Sequence, residues 1–236
     1  MELSSDNFIS LGDRMKRNYE GVYRMYLPWR IPLIIRVDGK AFHSFTRGMD
    51  KPFDEAFMEN MQSLSKFLCE ETHTSVFAYV QSDEVSLLLN NYKKLDTCAH
   101  FGNNLQKLTS VTAGLASSFF SLAYGRTAVF DARAFVLPRE EVTNYFIWRQ
   151  RDCERNSLHM VAQSHYSHGQ LEGKGKEELH DLIHEKNDNW NNYDADKKRG
   201  ACVFRNKDGE LKIDKKPPVF SSDREYIERH MIQEET

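Results

Sequence analysis

The most informative pattern of apolar and polar positions lies between residues 76 and 89, where two apolar runs flank a short polar segment. Two runs rich in β-branched and aromatic residues flank Gln81-Ser82-Asp83-Glu84, which predicts a β-hairpin with carboxylates at its turn. A further apolar run at residues 32–37 predicts a strand that leads directly into Asp38-Gly39-Lys40. If these strands belong to one sheet, Asp38 and Asp83 lie at the same edge, where two carboxylates can hold a divalent ion against a phosphate.

Apolar spacings of three and four residues predict helices around these strands. Helical periodicity covers residues 5–26, 54–70 (with Asp54 as N-cap) and 103–120, and residues 128–137 predict a fourth strand. The side chains expected to face inward are Leu11, Met15, Tyr19, Val22 and Tyr26 in the first helix, Phe57, Met61, Leu64 and Leu68 in the second, and Leu105, Leu108, Leu115 and Phe119 in the third. The central order βαββαβ predicts an α+β fold of the ferredoxin-like type.

The pattern changes at residue 139. We expect a catalytic domain with an N-terminal helix at residues 1–138, and a helical and hairpin C-terminal region packed on it at residues 139–236. Helices are predicted at 140–166 and 176–187, and an Asp-Gly turn between 201–204 and 211–213 predicts a small hairpin. The tail after Pro218 is expected to be partly loose. The inward positions expected in the first of these helices are Tyr145, Trp148, Cys153 and Leu158.

Composition favours a folded cytoplasmic protein without a membrane segment. Of the 236 residues, 40% are hydrophobic, enough for a substantial core. No apolar run approaches the about 20 residues that span a bilayer, and residues 1–6 lack the pattern of a signal peptide. The four cysteines form no C-x-x-C pair, which favours buried thiols over disulfides or a zinc site.

The net charge neither predicts nor excludes nucleic-acid binding. It is −3 at pH 7, with a pI near 6.3. Two basic groups, Arg14 with Lys16 and Arg17, and Lys197-Lys198-Arg199, can meet phosphates or simply face solvent.

The carboxylates of the predicted sheet edge suit magnesium, which is usually held by one or two carboxylates plus substrate phosphates. Asp38 and Asp83 supply the carboxylates, and the Gly39 carbonyl can add a neutral ligand. Two ions about 3.5–4 Å apart would activate a hydroxyl and stabilise a leaving pyrophosphate. Glu84 takes part only if turn geometry redirects it, because in a regular strand it points to the opposite face. The residues alone leave open that both acidic pairs merely form turns.

Nearby residues suit a triphosphate. The segment Gly39-Lys40-Ala41-Phe42-His43 can wrap it with backbone N–H groups, and Lys51 can add positive charge. Equally, His43 can be an ordinary loop residue and Lys51 a solvated lysine. Two histidine pairs, His165 with His168 and His180 with His184, have zinc-like spacings but no acidic or cysteine partner, so we expect structural or exposed roles.

Four segments together resemble the tRNA-histidine guanylyltransferase superfamily. They are residues 35–43, Lys51-Pro52, residues 81–84 and residues 144–153, and Lys198-Arg199-Gly200 before a strand also matches. The segments follow the family's order over most of the chain. The resemblance implies a polymerase-palm-type catalytic domain that adds nucleotides to the 5′ end of RNA in the 3′-to-5′ direction.

The resemblance also implies roles for individual residues. Asp38, Asp83 and the Gly39 carbonyl would bind two Mg²⁺ ions, with Glu84 as a supporting acidic residue. Residues 38–43, Lys51 and Ser82-Asp83 would bind the nucleotide, with ATP and GTP as substrates. The resemblance implies less strongly that Arg36 is a cation on the phosphate side. The implied partners are tRNA, nucleoside triphosphates and further copies of the chain, since members of the superfamily commonly form tetramers.

The chain departs from the guanylyltransferases proper after Trp148-Arg149-Gln150. Where they carry His-Ile-Asn-Asn-Leu-Tyr-Asn, residues 154–160 read Glu-Arg-Asn-Ser-Leu-His-Met, and only Asn156 and Leu158 fit. We therefore predict template-dependent repair of 5′-truncated tRNA, after ATP activation of a 5′-monophosphate. The alternatives are obligatory addition of G to tRNA-His, a palm-type nucleotide cyclase, and a non-catalytic RNA-binding module.

Overall fold

A six-stranded antiparallel sheet organises the chain. The computed structural model describes residues 9–94 and 96–231. Its strands are β1 (Leu33–Gly39), β2 (Ser75–Gln81), β3 (Glu84–Leu89), β4 (Phe130–Val136), β5 (Ala201–Arg205) and β6 (Leu211–Asp214). Their order is β4-β1-β3-β2-β5-β6, so the first four strands have the ferredoxin-like arrangement and that prediction is confirmed. The β5–β6 hairpin extends the same sheet beside β2.

Helices cover both faces of the sheet. The α-helices are α1 (Leu11–Met15), α2 (Phe42–Phe45), α3 (Glu55–Glu71), α4 (Leu105–Tyr124), α5 (Arg139–His165), α6 (His168–Leu171), α7 (Lys176–Glu185), α8 (Ala195–Arg199) and α9 (Glu225–Glu228). A π-helical turn covers Lys16–Glu20, and 3₁₀ turns cover Gly21–Tyr23, His100–Asn103, Trp190–Asn192 and Arg229–Met231. None of the helices within the described ranges combines the length and apolarity that crossing a bilayer requires.

Helices α3 and α4 pack on one face of the sheet. The Asp54 side chain accepts a hydrogen bond from the Phe57 amide at 2.8 Å and so begins α3 where the sequence predicts. The four inward positions predicted for α3 are all buried. In α4 only Leu108 of the predicted set is fully buried, because the buried stripe runs through Thr112, Ala116 and Phe120 instead.

Helix α5 and the segment after β6 pack on the other face. Along β1, Leu33, Ile35 and Val37 join the core beneath α3 and α4, whereas Ile34 joins the core beneath α5. Because side chains alternate along a strand, Arg36 and Asp38 lie on the α5 side. This alternation carries Asp38 to the end of the strand on the face that α5 covers.

Three expectations about burial are wrong. Trp148 is 53% exposed, although Tyr145, Cys153 and Leu158 of the same helix are buried. The tail beyond Pro218 packs on the sheet as far as Met231, with Phe220 and Ile227 fully buried, because its apolar side chains complete the core beneath α5. Residues 9–26 form a short interrupted helix whose apolar stripe is exposed, while residues 5–8 lie outside the described residues. Periodicity identifies a stripe but not what covers it.

The cysteines follow the predicted pattern with one exception. Cys69, Cys153 and Cys202 are buried free thiols, whereas Cys98 is an exposed free thiol.

Candidate active site

The two predicted carboxylates meet where β1 ends against the β2–β3 turn. Asp38 lies opposite Glu84 of β3 in the register of the sheet. One residue later, the Gly39 amide donates a hydrogen bond to the Asp83 carbonyl at 3.1 Å. A Cβ on Gly39 would lie 2.8 Å from Asp83 Oδ2 and would overlap the Phe42 ring. Glycine at position 39 therefore allows the turn to approach the strand.

The turn itself directs Asp83 toward the strand end. Gln81 and Glu84 pair across it, so Ser82 and Asp83 form a two-residue connection. Ser82 has a φ of 49°, in the left-handed region that a tight hairpin turn uses. Its hydroxyl donates to Asp83 Oδ1 at 3.1 Å, which orients the carboxylate.

Burial makes this edge electrostatically unfavourable for its carboxylates. It raises the pKa of Asp38; Arg36 opposes the rise and Asp131 on β4 adds to it. Burial also raises the pKa of Asp83, and the negative charge of Asp38 contributes further. Two partly desolvated negative charges that act on each other are stabilised by a bound cation.

Glu84 is engaged by a residue whose role the sequence did not reveal. The Arg149 guanidinium on α5 donates to both oxygens of Glu84, at 2.8 Å from Nε and 2.7 Å from Nη2. The same guanidinium donates to Asp152 at 2.8 Å. Burial raises the pKa of Glu84 and the Arg149 charge opposes that rise. The charge of Arg149 also opposes the rise that burial causes in the pKa of Asp38.

A cavity of about 350 Å³ opens beside Asp83. Of the predicted nucleotide-binding residues, those that line it are Phe42, His43, Lys51, Ser82 and Asp83. The predicted residues Asp38, Gly39, Lys40 and Ala41 precede Phe42 in the chain and do not line the cavity. The Lys40 amide donates to the Val129 carbonyl at 2.8 Å. Met160 and Gln163 of α5 also line the cavity. No local pattern signalled those two residues, because the fold brings them in from a distant part of the chain.

In the two histidine pairs, one ring nitrogen has an acidic partner that the sequence did not reveal. His165 Nε2 lies 2.8 Å from Asp188 Oδ2, and the His180 ring contacts the Trp190 ring. Within residues 9–94 and 96–231, no group of three or more His, Cys, Asp or Glu side chains is arranged to hold a metal ion. A cation at the Asp38–Asp83 edge would therefore need backbone, water or substrate oxygens to complete its ligands, as Mg²⁺ commonly does.

The sequence of the chain was compared with protein families and with known proteins. The family model described as Thg1, tRNAHis guanylyltransferase, matches residues 12–138. The probable tRNA(His) guanylyltransferase of Drosophila melanogaster is 30% identical over 196 residues, which cover 73% of this chain and 66% of that protein.

Solved structures extend the likeness to the whole fold. A bacterial tRNA(His) guanylyltransferase (Thg1)-like protein in complex with ATP is 45% identical with a TM-score of 0.89, over 94% of this chain and 99% of that one. A bacterial Thg1-like protein in complex with GTP is 39% identical with a TM-score of 0.81, over the same shares of the two chains. The predictions of a palm-like fold and of a nucleotidyltransferase are thereby confirmed. With a family model matching more than half of its length, the chain belongs to the tRNAHis guanylyltransferase (Thg1) family.

Proposed function

We propose that this enzyme is a Mg²⁺-dependent, template-dependent 3′-to-5′ nucleotidyltransferase that restores missing nucleotides at the 5′ end of truncated tRNA. The observation that carries the proposal is that Asp83, which lines a cavity of about 350 Å³, interacts electrostatically with Asp38 at the same sheet edge. The likeness to bacterial Thg1-like proteins in complex with ATP and with GTP supports nucleoside triphosphates as the occupants.

The donor set fits magnesium. Asp38 and Asp83 would provide carboxylate oxygens and Gly39 its carbonyl, an all-oxygen set that leaves room for water and substrate phosphates. When bound, two such ions would lower the pKa of an attacking hydroxyl and stabilise charge on the leaving group. Glu84, held by Arg149, would keep the edge acidic without itself facing the cavity.

The residues around the cavity suit a bound triphosphate. Lys51 and His43 would lie on its phosphate side, and Ser82 would hold Asp83 in orientation through its hydroxyl. Phe42 and His43 are the first two residues of α2, so their backbone amides have no acceptor within the helix. In the proposed complex these amides would donate to the phosphates. Watson–Crick pairing with the opposite strand of the acceptor stem would choose the nucleotide, so the protein need not read the base.

The reaction would proceed in two steps at one site. A 5′-monophosphate on the RNA would first attack the α-phosphate of ATP, with pyrophosphate leaving, to give an adenylylated 5′ end. The 3′-hydroxyl of the incoming nucleotide would then attack the 5′-phosphate, and AMP would leave. Asp38 and Asp83 would hold the Mg²⁺ ions, whose positive charge would neutralise the reacting phosphates in both steps.

Two rival functions use the same fold. Obligatory addition of G to tRNA-His is disfavoured by residues 154–160, which lack most of the motif of the guanylyltransferases proper. A nucleotide cyclase is not favoured by membership of this family. Addition of G regardless of the opposing base would support the first rival. A cyclic dinucleotide formed from nucleoside triphosphates alone would support the second.

We also propose that the enzyme is a cytoplasmic homo-oligomer, with the tetramer of its relatives as the model. Support comes from the segment of residues 9–29, whose apolar side chains include Leu11 at 65%, Tyr19 at 60% and Val22 at 63% exposure. Such a continuous exposed apolar stripe is typical of a surface that another protein covers.

Template dependence is the sharpest test of the proposed function. We would offer all four nucleoside triphosphates to a 5′-truncated tRNA and change the base opposite the missing position. The added nucleotide is expected to follow that base by Watson–Crick rules. Addition of one fixed nucleotide, whatever the opposing base, would contradict the proposal.

A further inference from the structure

A second cavity, of about 410 Å³, also lies against α5, and we call it the rear cavity. The two cavities use different residues of that helix, Arg151, Arg155 and Leu158 here and Met160 there. His159 of the rear cavity and Gln163 of the nucleotide cavity are four residues apart, so they lie on the same side of the helix, about 6 Å apart along its axis. The two sets of α5 residues are centred about six residues apart, so the cavities lie about 9 Å apart along the helix.

The floor of this rear cavity is apolar and partly aromatic. Leu158 and Leu179 form part of it and are almost fully buried. Trp190 adds its indole ring, which is fixed because its N–H donates to Ser157 Oγ at 3.0 Å. A rigid aromatic surface in a cavity of this size is what an unstacked nucleobase needs.

The rim of the rear cavity is mainly cationic. Its charged residues are Arg151, Arg155, Lys174 and Lys176, against the single carboxylate of Glu154, and His159 lies among them. Arg155 pairs with Asp152, and Lys174 pairs with Glu178 at 2.9 Å. Arg151 and Lys176 form no ion pair with any residue that the structure describes, and both are exposed. Cations beside an aromatic floor match a nucleotide, whose base stacks while its phosphates meet the rim.

We propose that the rear cavity binds an unpaired nucleotide of the RNA's 3′ strand, beyond the end of the acceptor stem. The proposal rests on the proposed function, because an enzyme that works on the 5′ end of a paired stem also holds the end of the opposite strand. In tRNA that strand continues as a short unpaired overhang. Three stacked nucleotides span about 10 Å, which is enough to reach from one cavity to the other along α5.

The test measures binding without any nucleoside triphosphate, so it does not depend on catalysis. We would compare the affinity of the full-length protein for two labelled acceptor-stem hairpins by fluorescence anisotropy, one with the 3′ overhang and one blunt. Removing the overhang is expected to weaken binding about tenfold, in the range of base stacking on an aromatic side chain. An overhang with abasic sugars should fall between the two, because it keeps the phosphates but loses the bases.

Substitutions then assign the effect to this cavity. Arg151→Ala combined with Lys176→Ala should weaken binding of the overhang RNA severalfold and leave binding of the blunt RNA nearly unchanged. The matched control is Lys66→Ala with Lys107→Ala, which removes the same charge from α3 and α4 on the other face of the sheet. The control should affect the two RNAs equally.

Three outcomes would overturn the proposal. The first is a wild-type affinity that does not depend on the overhang, which would contradict the proposal directly. Equal loss on both RNAs in the Arg151/Lys176 variant would make these cations a general attraction for RNA. Competition by free ATP or GTP for the overhang effect, with the blunt RNA unaffected, would assign the cavity to a free nucleotide. An enzyme that adds nothing to any 5′ end, yet shows the overhang effect, would contradict the proposed function and leave the rear cavity standing.

Discussion

At the scale of single residues, the site depends on a close approach between Gly39 and Asp83. The sequence predicts that both lie at one sheet edge, because adjacent strands bring their ends together. It does not predict the hydrogen bond from the Gly39 amide to the Asp83 carbonyl, which depends on the exact geometry of the turn. Nor does it predict the contact between Arg149 and Glu84, because those residues are 65 positions apart and only the packing of α5 joins them.

Replacement of Gly39 should damage the site more than the fold. Gly39→Ala places a methyl group against Phe42 and 2.8 Å from Asp83 Oδ2, so the carboxylate must move. We expect nucleotide addition to fall at least about tenfold, since small misplacements of reacting groups are costly. Gly114→Ala on α4, where the added carbon meets nothing within 4 Å, is the control and should keep full activity. Equal activity of the two variants would show that the approach is unimportant.

Removing one member of the Arg149–Glu84 ion pair should destabilise the protein more than replacing both members. Arg149 is 8% exposed, and its removal leaves Glu84 buried and unpaired. Arg149→Met should lower the free energy of unfolding by about 3 kcal/mol. The double variant Arg149→Met with Glu84→Leu should recover part of that loss, because no unpaired charge remains. Urea denaturation of the three variants measures both effects, and a double variant less stable than the single one would rule out this explanation.

At the scale of elements, the predictions agree with the structure where the signal is local, as in a helix cap or a hairpin turn. The cap and apolar face of α3 agree with the structure, and the hairpin of β2 and β3 is where its turn residues predict. The N-terminal stripe and Trp148 were predicted to be buried and are exposed, because periodicity does not say what covers an apolar face. The tail was predicted to be partly loose, yet its residues to Met231 pack beneath β2 and β5, a long-range contact without a local signal.

That C-terminal packing makes stability depend on pH. The His230 ring stacks on Phe77 and contacts the tilted ring of Phe204. Burial lowers the pKa of His230 from 6.5 to about 4, and the charge of Arg229 adds to the effect. Between these two values the unfolded chain binds a proton that the folded chain does not, so this contribution to stability falls as the pH falls from 6.5 to 4. His230→Phe should therefore lose less stability than the wild type between pH 7 and pH 5, as measured by urea denaturation. An equal loss in both proteins would mean that His230 does not titrate in this way.

At the scale of the whole molecule, the order of elements was enough to predict the central topology. The ferredoxin-like order follows from βαββαβ and from the preference for adjacent strands to pair. The continuation of the sheet through β5 and β6 could not be predicted, because nothing local says that β5 adds to the free edge of β2. The division into two regions at residue 138 stays a prediction, since one sheet runs across it. The rear cavity also depends on this scale, because α5, α7 and Trp190 meet only in the finished fold.

The exposed N-terminal stripe predicts self-association. Tyr19→Glu with Val22→Glu places two charges on it and should reduce the molar mass in solution, measured by light scattering after size-exclusion chromatography. The wild type is expected to have the mass of several copies. A wild-type monomer would contradict the proposed oligomer and would leave the proposed catalytic function untested.

The central claim is tested most directly by nucleotide addition to a tRNA that lacks its first 5′ nucleotide. The assay would follow a labelled nucleoside triphosphate with Mg²⁺ and ATP, comparing the wild type with Asp83→Ala. We predict extension by the template-matched nucleotide in the wild type and a loss of at least about 100-fold in the variant, the scale on which loss of preorganised charge stabilisation slows catalysis. Retained activity in Asp83→Ala, or no extension of either 5′-monophosphate or 5′-triphosphate RNA by the wild type, would contradict the account.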